Sequence, residues 1–197
     1  MIRIDANTRA LDRALSDAAQ RQMPFATARA LTRTARGASD VETQEIRRTF
    51  DNPIPFTQRG LYMRGASRSR PEAEIGIKKI QAQYLGLQAE GGLRRPEGRA
   101  ILIPVGARTN TYGNLPRRAV ARLLARSDTF SGRVKGVPGI WQRPRRKGGA
   151  PKLLVRYEDS ARYARRYEFQ DVAAEFVRRT FPRELFDSLR QALATAR

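Results

Sequence analysis

Residues 23–50, MPFATARALTRTARGASDVETQEIRRTF, run directly into residues 51–66, DNPIPFTQRGLYMRGA. The first stretch predicts a long helix and the second its abrupt end. Pro24 suits the first helical position, because its missing N–H would have no partner there. At about 100° per residue, Phe25, Ala28, Thr32, Ala35, Ser39, Ile46 and Phe50 fall on one side. The ends of that side are large and its middle is small, so another element can approach closely. Gly37 lies off this face and costs about 1 kcal/mol of helix propensity, which marks a place for a break. Unbroken, the helix spans roughly 40 Å. That length suits an element reaching a neighbouring subunit, with Phe25, Ala28, Thr32 and Ala35 as packing candidates. It also suits an ordinary core helix.

Upstream, Asn7 to Gln22 predicts a separate helix or arm over residues 1–22, capped by Thr8 and striped by Leu11 and Leu15. Downstream, the prolines of Asn52-Pro53-Ile54-Pro55 force an extended path. Gly60–Ala66 and the alternating Ala73–Lys78 then read as an antiparallel hairpin. Ile80–Glu90 is a short helix with Tyr84, Leu85 and Leu87 inward, closed by Gly91-Gly92. Ala100–Val105 is a short strand. Pro116–Arg126 is a helix with Val120, Leu123 and Leu124 inward and Arg117, Arg118, Arg122 and Arg126 outward. Gly139–Arg143 and Lys152–Tyr157 look like paired strands. Two helices follow, divided at Phe181-Pro182 and marked by Val172, Ala173, Phe176 and Val177, then by Phe186, Leu189 and Leu193. Strands in the middle and helices at the ends predict an α+β fold. The expected form is one domain over 23–197, with a central antiparallel sheet and the long N-terminal and C-terminal helices packed on one side.

The composition excludes whole classes of chemistry. The 197 residues contain no Cys and no His. Thiol nucleophiles, disulfides, zinc clusters and His-dependent triads fall away. Carboxylate-only metal sites would need several acids converging on one point. The pairs Glu42/Glu45, Glu72/Glu74, Glu158/Asp159 and Asp171/Glu175 each have a plainer reading as helix-terminus charges or local ion pairs. No enzyme, cofactor or metal site is expected. Ile101-Leu102-Ile103 heads the longest apolar run, so no membrane-spanning helix is expected, and Met1-Ile2-Arg3 opens no secretory signal.

What remains is charge. Lys and Arg number 39 against 19 Asp and Glu, a formal +20, and only five of the cations are Lys. Arg grips phosphate and carboxylate bidentately and stacks on rings. Residues 132–166 hold eleven cations and two acids, and Trp141, Tyr157, Tyr163 and Tyr167 are interleaved with these cations. Arg143, Arg145, Arg146, Lys147 and Lys152, with Trp141, are the contact candidates of the late hairpin; Arg117 and Arg118 join them. Such a hairpin suits bases and phosphates. It equally suits an acidic neighbouring protein, where Arg and Trp are enriched. A solvated tip is the third reading. Gly148-Gly149 lacks the Lys-Ser/Thr that would make a phosphate loop.

These stretches, in this order, resemble the phage minor tail protein Z family of long-tailed phages and prophages. The likeness rests on "MPFATARALTRTARGASDVETQEIRRTF", "DNPIPFTQRGLYMRGA", "YLGLQAEGG", "TYGNLPRR", "GVPGIWQRPRRKGGAPKLLVRY" and the closing "FPRELFDSLRQALATAR". It covers most of the chain from about Met23 onward. Residues 107–131 are absent or shorter in some relatives, which weakens what the likeness implies for Arg117 and Arg118. The resemblance implies a structural virion protein, assembled in the host cytoplasm, that completes the head-proximal end of the tail and joins it to the head. It implies a ring, sixfold like the tail tube, with DNA passing along its axis. Its implied partners are the tube or terminator ring, the connector and the tape measure. The alternative reading is a free nucleic-acid-binding protein using the Arg-rich hairpin.

Overall fold

A computed structural model of the chain describes residues 1–5 and 17–195. The fold is α+β. The chain divides into two compact units, one formed by Met1–Glu90 with Arg165–Arg197 and the other by Gly91–Ala164. The expected single domain over 23–197 with one central sheet is therefore corrected to two units with separate sheets. The second unit is inserted between two halves of the first.

In the first unit, α1 (Asp17–Thr49) is one continuous helix. It runs through Pro24 rather than starting there, forgoing one backbone hydrogen bond. The expected helix over 7–22 falls largely outside the described residues; its last turn belongs to α1. No break occurs at Gly37 either. The helix α5 (Phe169–Thr195) is likewise continuous through Pro182, where two helices were expected. Both prolines are tolerated because the two long helices pack on each other, and burial outweighs a lost backbone bond.

The packing face of α1 is not quite the expected one. Leu31, Ala35, Ala38, Glu42 and Ile46 are fully buried, at spacings of four and three. They meet Tyr167, Phe169 and Ala173 at the start of α5, Ala73 and Ile75, and Leu85. Small side chains let the helices close up. A Cβ on Gly37 would lie 2.7 Å from the Phe176 ring, so the glycine is a contact point and not a weak point. Gly37→Ala gains about 1 kcal/mol of propensity but overpacks Phe176 at a cost of roughly 1–3 kcal/mol, and so destabilises. In a Phe176→Ala background the same substitution becomes stabilising. Denaturant unfolding of the four proteins of this cycle tests the sign reversal.

A short helix, α2 (Pro55–Gln58), follows the proline turn. Strands β1 (Ile2–Asp5), β2 (Leu61–Arg64) and β3 (Glu72–Ile77) form an antiparallel sheet in the order β1-β3-β2. The expected β2–β3 hairpin is present, with Leu61 opposite Ile77 and Tyr62 opposite Gly76. Strand β1 occupies the segment expected to be an arm. Gly76 leaves room for the Tyr62 ring, whose O–H donates to Glu74. That bond, aided by Arg64, holds the Glu74 carboxyl below its usual range. Helix α3 (Lys79–Glu90) buries Gln81 and Leu85 and ends at Gly91, whose φ is 78°.

One buried acid stands out. Glu42 sits on the core face of α1, and the Tyr167 O–H donates to its Oε2 at 2.7 Å. Its Oε1 meets no hydrogen-bond partner. Burial pushes the Glu42 carboxyl up to about 7. The Tyr167 bond opposes this, the Glu45 charge reinforces it, and the backbone of Ala173 opposes it again. The Tyr167 hydroxyl is itself pushed far up by burial and by Glu42. The local ion pair expected for Glu42/Glu45 is therefore met only by Glu45, with Arg48 at 3.9 Å, while Glu42 turns inward.

In the second unit, β5 (Ile101–Pro104), β6 (Thr129–Val134), β7 (Val137–Gln142) and β8 (Lys152–Glu158) form an antiparallel sheet ordered β5-β8-β7-β6. The β7–β8 pairing is as expected, with a bulge between Ile140 and Trp141. Strands β4 (Gly92–Arg94) and β9 (Ala161–Tyr163) pair separately. The core is small: Ile140, Leu154 and Val155, with Val120 and Leu123 against them. Those last two come from α4 (Ala119–Leu124), which is shorter than the helix expected over 116–126. Leu124, expected inward, is 45% exposed. At the far end of α5, Phe186 and Leu193 are also exposed where an inward stripe was expected; Ser188 and Ala192 are buried instead. Among the described residues no helix is long and apolar enough to cross a membrane.

Candidate functional site: the β7–β8 hairpin and its basic tip

The strands of this hairpin are built on short apolar runs, Ile140-Trp141 and Leu153-Leu154-Val155, and its connection, Arg143–Pro151, on prolines, glycines and cations. Pro144 and Pro151 bracket the connection and deny it ladder bonds. The tip turns where the Gly149 N–H donates to the Arg146 carbonyl at 3.1 Å, with Gly148 at φ 82°. Arg145, Arg146, Lys147 and Lys152 are exposed, with no ion pair among the described residues. Gln142, Arg143, Pro144, Arg145, Ala150 and Lys152 line a cleft of about 250 Å³ at the root of the tip.

Arg143 behaves differently from its neighbours. Its Nη1 donates to the carbonyls of Ser127 at 2.8 Å and Thr129 at 2.9 Å. Its guanidinium lies 5.1 Å from the centroid of the Phe130 ring. Its backbone N–H donates to the Asp128 carbonyl at 2.7 Å. Asp128 in turn is gripped by Arg126, Nε to Oδ1 at 2.9 Å and Nη2 to Oδ2 at 2.6 Å, and by the Gln142 amide at 2.7 Å. The Arg126 guanidinium, with Gln142, holds the Asp128 carboxyl at about 2. Arg143 thus fastens the hairpin base to β6 through Nη1 while staying exposed at the cleft. Trp141 is corrected too: only 8% of it is exposed, so it offers no ring for stacking on a base.

Arg117 and Arg118 precede α4 and are exposed, with Arg118 at φ 60°. The Arg117 carbonyl accepts from Arg122 Nη2 at 2.8 Å. Neither lines the cleft at the hairpin tip. A separate cleft of about 210 Å³ gathers Arg108, Arg122 and Arg126 around Pro116, Ala119 and Leu123. Spacing along the chain does not announce that cluster, since Arg108 lies far from the other two.

The subunit-packing candidates separate. Phe25, Ala28 and Thr32 line an open groove in the first unit. Ala35 is fully buried in the intramolecular core and so cannot meet another subunit.

Some acids are held in ion pairs, while others, such as Asp51, Glu97 and Glu175, are exposed with none among the described residues. Glu72 meets Arg3 at 2.5 Å and Arg70 at 3.3 Å; Glu158 meets Arg156 at 2.7 Å; Asp171 meets Arg165. Among the described residues no three acidic side chains gather as a metal ion requires. The arrangement offers exposed guanidinium and ammonium groups on a latched scaffold. That is a surface for anions.

No family model matches the chain, and no curated protein or solved structure matches it either.

Proposed function

We propose that this chain is a structural interaction protein that completes the head-proximal end of a phage tail and helps join tail to head. The observation that carries the reading is the tip of the β7–β8 hairpin. Its cations Arg145, Arg146, Lys147 and Lys152 are exposed and have no ion pair among the described residues. A chain at +20 repels its own copies, so an assembly of it needs an anionic companion. The resemblance to the minor tail protein Z family supplies the setting: a ring in the virion neck, sixfold like the tube. Its neighbours there are the tube or terminator ring, the connector and the tape measure. Heterologous contacts close such rings without exposing a free end.

The buried Trp141 favours protein over free nucleic acid as the main companion of the hairpin. Its burial removes the ring from a stacking site. DNA passing the ring axis remains a transient contact.

The test is a phage lacking this gene product. Heads fill and tails form at normal length, but infectious particles are lost, and purified chain added to the lysate restores them. Fully infectious, correctly joined particles without the chain overturn the proposal.

A further inference from the structure

The groove of the first unit has a volume of about 560 Å³. Its floor is apolar: Phe25, Ala28, the Thr32 methyl side and Ala66. Phe25 is 45% exposed, a large aromatic face that no described element covers. The wall opposite α1 is the segment after β2, and it is pinned. The Ala66 N–H donates to Thr32 Oγ1 at 3.0 Å. Gly65 approaches Thr32 so closely that a Cβ there would lie 3.1 Å from it. The groove is therefore formed before anything binds, which lowers the ordering cost of binding.

The rim is cationic. Arg29, Arg36 and Arg68 line it, and none has an ion pair among the described residues. Arg33, the fourth, is engaged with Glu184 at 3.4 Å. Among the described residues no acid lines the groove. On α1 the lining residues recur at three- and four-residue spacings from Phe25 to Arg36, a stripe of roughly 16 Å. That length matches about three turns of helix, or five residues of extended chain.

We infer that this groove receives an acidic, amphipathic segment of a partner protein, its apolar side chains on the floor and its carboxylates against Arg29, Arg36 and Arg68. A second copy of this chain fits poorly. It brings another +20, and its 39 cations outnumber its 19 acids about two to one, so its surface repels the cationic rim. A nucleic-acid backbone would leave the floor of Phe25, Ala28 and Ala66 unfilled. The inference goes beyond the tail proposal and stands without it, since it concerns a different unit from the hairpin and is read out on the purified chain.

The experiment selects a random dodecapeptide library on the full-length protein and measures enriched peptides by fluorescence anisotropy. The expected result is enrichment of peptides combining Asp or Glu with aromatic or large aliphatic residues. Arg29→Glu/Arg36→Glu then weakens them by at least about tenfold, equivalent to about 1.4 kcal/mol. Phe25→Ser weakens them severalfold, and the hairpin variant Arg145→Ala/Arg146→Ala/Lys147→Ala leaves them bound. If the charge reversal lowers the melting temperature, Arg29→Gln/Arg36→Gln replaces it. Enrichment of basic or neutral peptides, no enrichment, or retention by the groove variants overturns the inference. So does a native mass that falls to the monomer on groove substitution, which identifies a second copy as the occupant.

Discussion

Between pH 4.5 and 7 the chain loses about 3 kcal/mol of stability that a Glu42→Gln variant does not lose. The sign follows from proton counts. The carboxyl has its ordinary value near 4.5 in the unfolded chain and titrates at about 7 when folded. Through that window the folded state holds more protons than the unfolded one, so raising the pH favours unfolding. Below 4.5 both states are protonated and the favourable contribution is complete. Above 7 the loss is complete and the curve is flat. Glutamine keeps the shape and an acceptor for the Tyr167 hydroxyl but has no charge to bury. The depressed carboxyls, Asp128 and Glu74, work in the opposite direction and at lower pH, because they gain stability as pH rises through their folded values. The difference between the two denaturant-unfolding profiles, measured from pH 4 to 8, isolates Glu42. Parallel profiles would show that the carboxyl reaches water in the folded state. Glu42→Ala is the control: it strands the Tyr167 hydroxyl and opens a cavity, so it destabilises at every pH.

Glu42 also marks the limit of what is legible in the sequence. Both hairpins follow from the sequence, because alternation at Ala73–Lys78 and the apolar runs beside Trp141 leave few other solutions, whereas the bounds of both long helices do not. The expected face of α1 is off by part of a turn. The stripe Leu31, Ala35, Ala38, Glu42, Ile46 is present in the sequence, but the glutamate in its midst reads as solvent-facing until Tyr167 is brought to it from 125 residues away. Pro24 and Pro182 read as boundaries because local propensity takes no account of the packing of α1 on α5. The insertion of residues 91–164 opens at Gly91-Gly92, which reads as a helix-ending turn, and its far junction at Arg165 carries no linker composition, so nothing local marks a second unit. Strands β4 and β9, three residues each, are too short for period two to register. At the hairpin the cation density is readable and the division of labour is not. Nothing in Arg143-Pro144-Arg145-Arg146 distinguishes the arginine that grips the carbonyls of Ser127 and Thr129 from those that do not.

That division decides the second large effect. Arg145→Ala/Arg146→Ala/Lys147→Ala abolishes rescue of infectious particles while leaving the melting temperature unchanged. These three side chains are exposed and make no ion pair among the described residues, so removing them costs the fold almost nothing. Their removal falls wholly on whatever anion they meet. Arg143→Ala must be kept out of the set: it unfastens the hairpin from β6 and confounds binding with stability. The same triple variant separates the two companions. If the tip grips phosphates, DNA binding by the intact chain weakens steeply with salt, and the variant lowers that slope by roughly 2.7, about 0.9 for each phosphate no longer neutralised. If it docks on an acidic protein ring, the DNA slope is unchanged and the variant instead fails to co-sediment with joined particles. Charge reversal to Glu at the same three positions sharpens the contrast, because like charges across a docked interface repel, whereas alanine merely withdraws an attraction. A variant that rescues particles fully would mean that the tip is merely solvated, and the surplus of arginine would need another purpose.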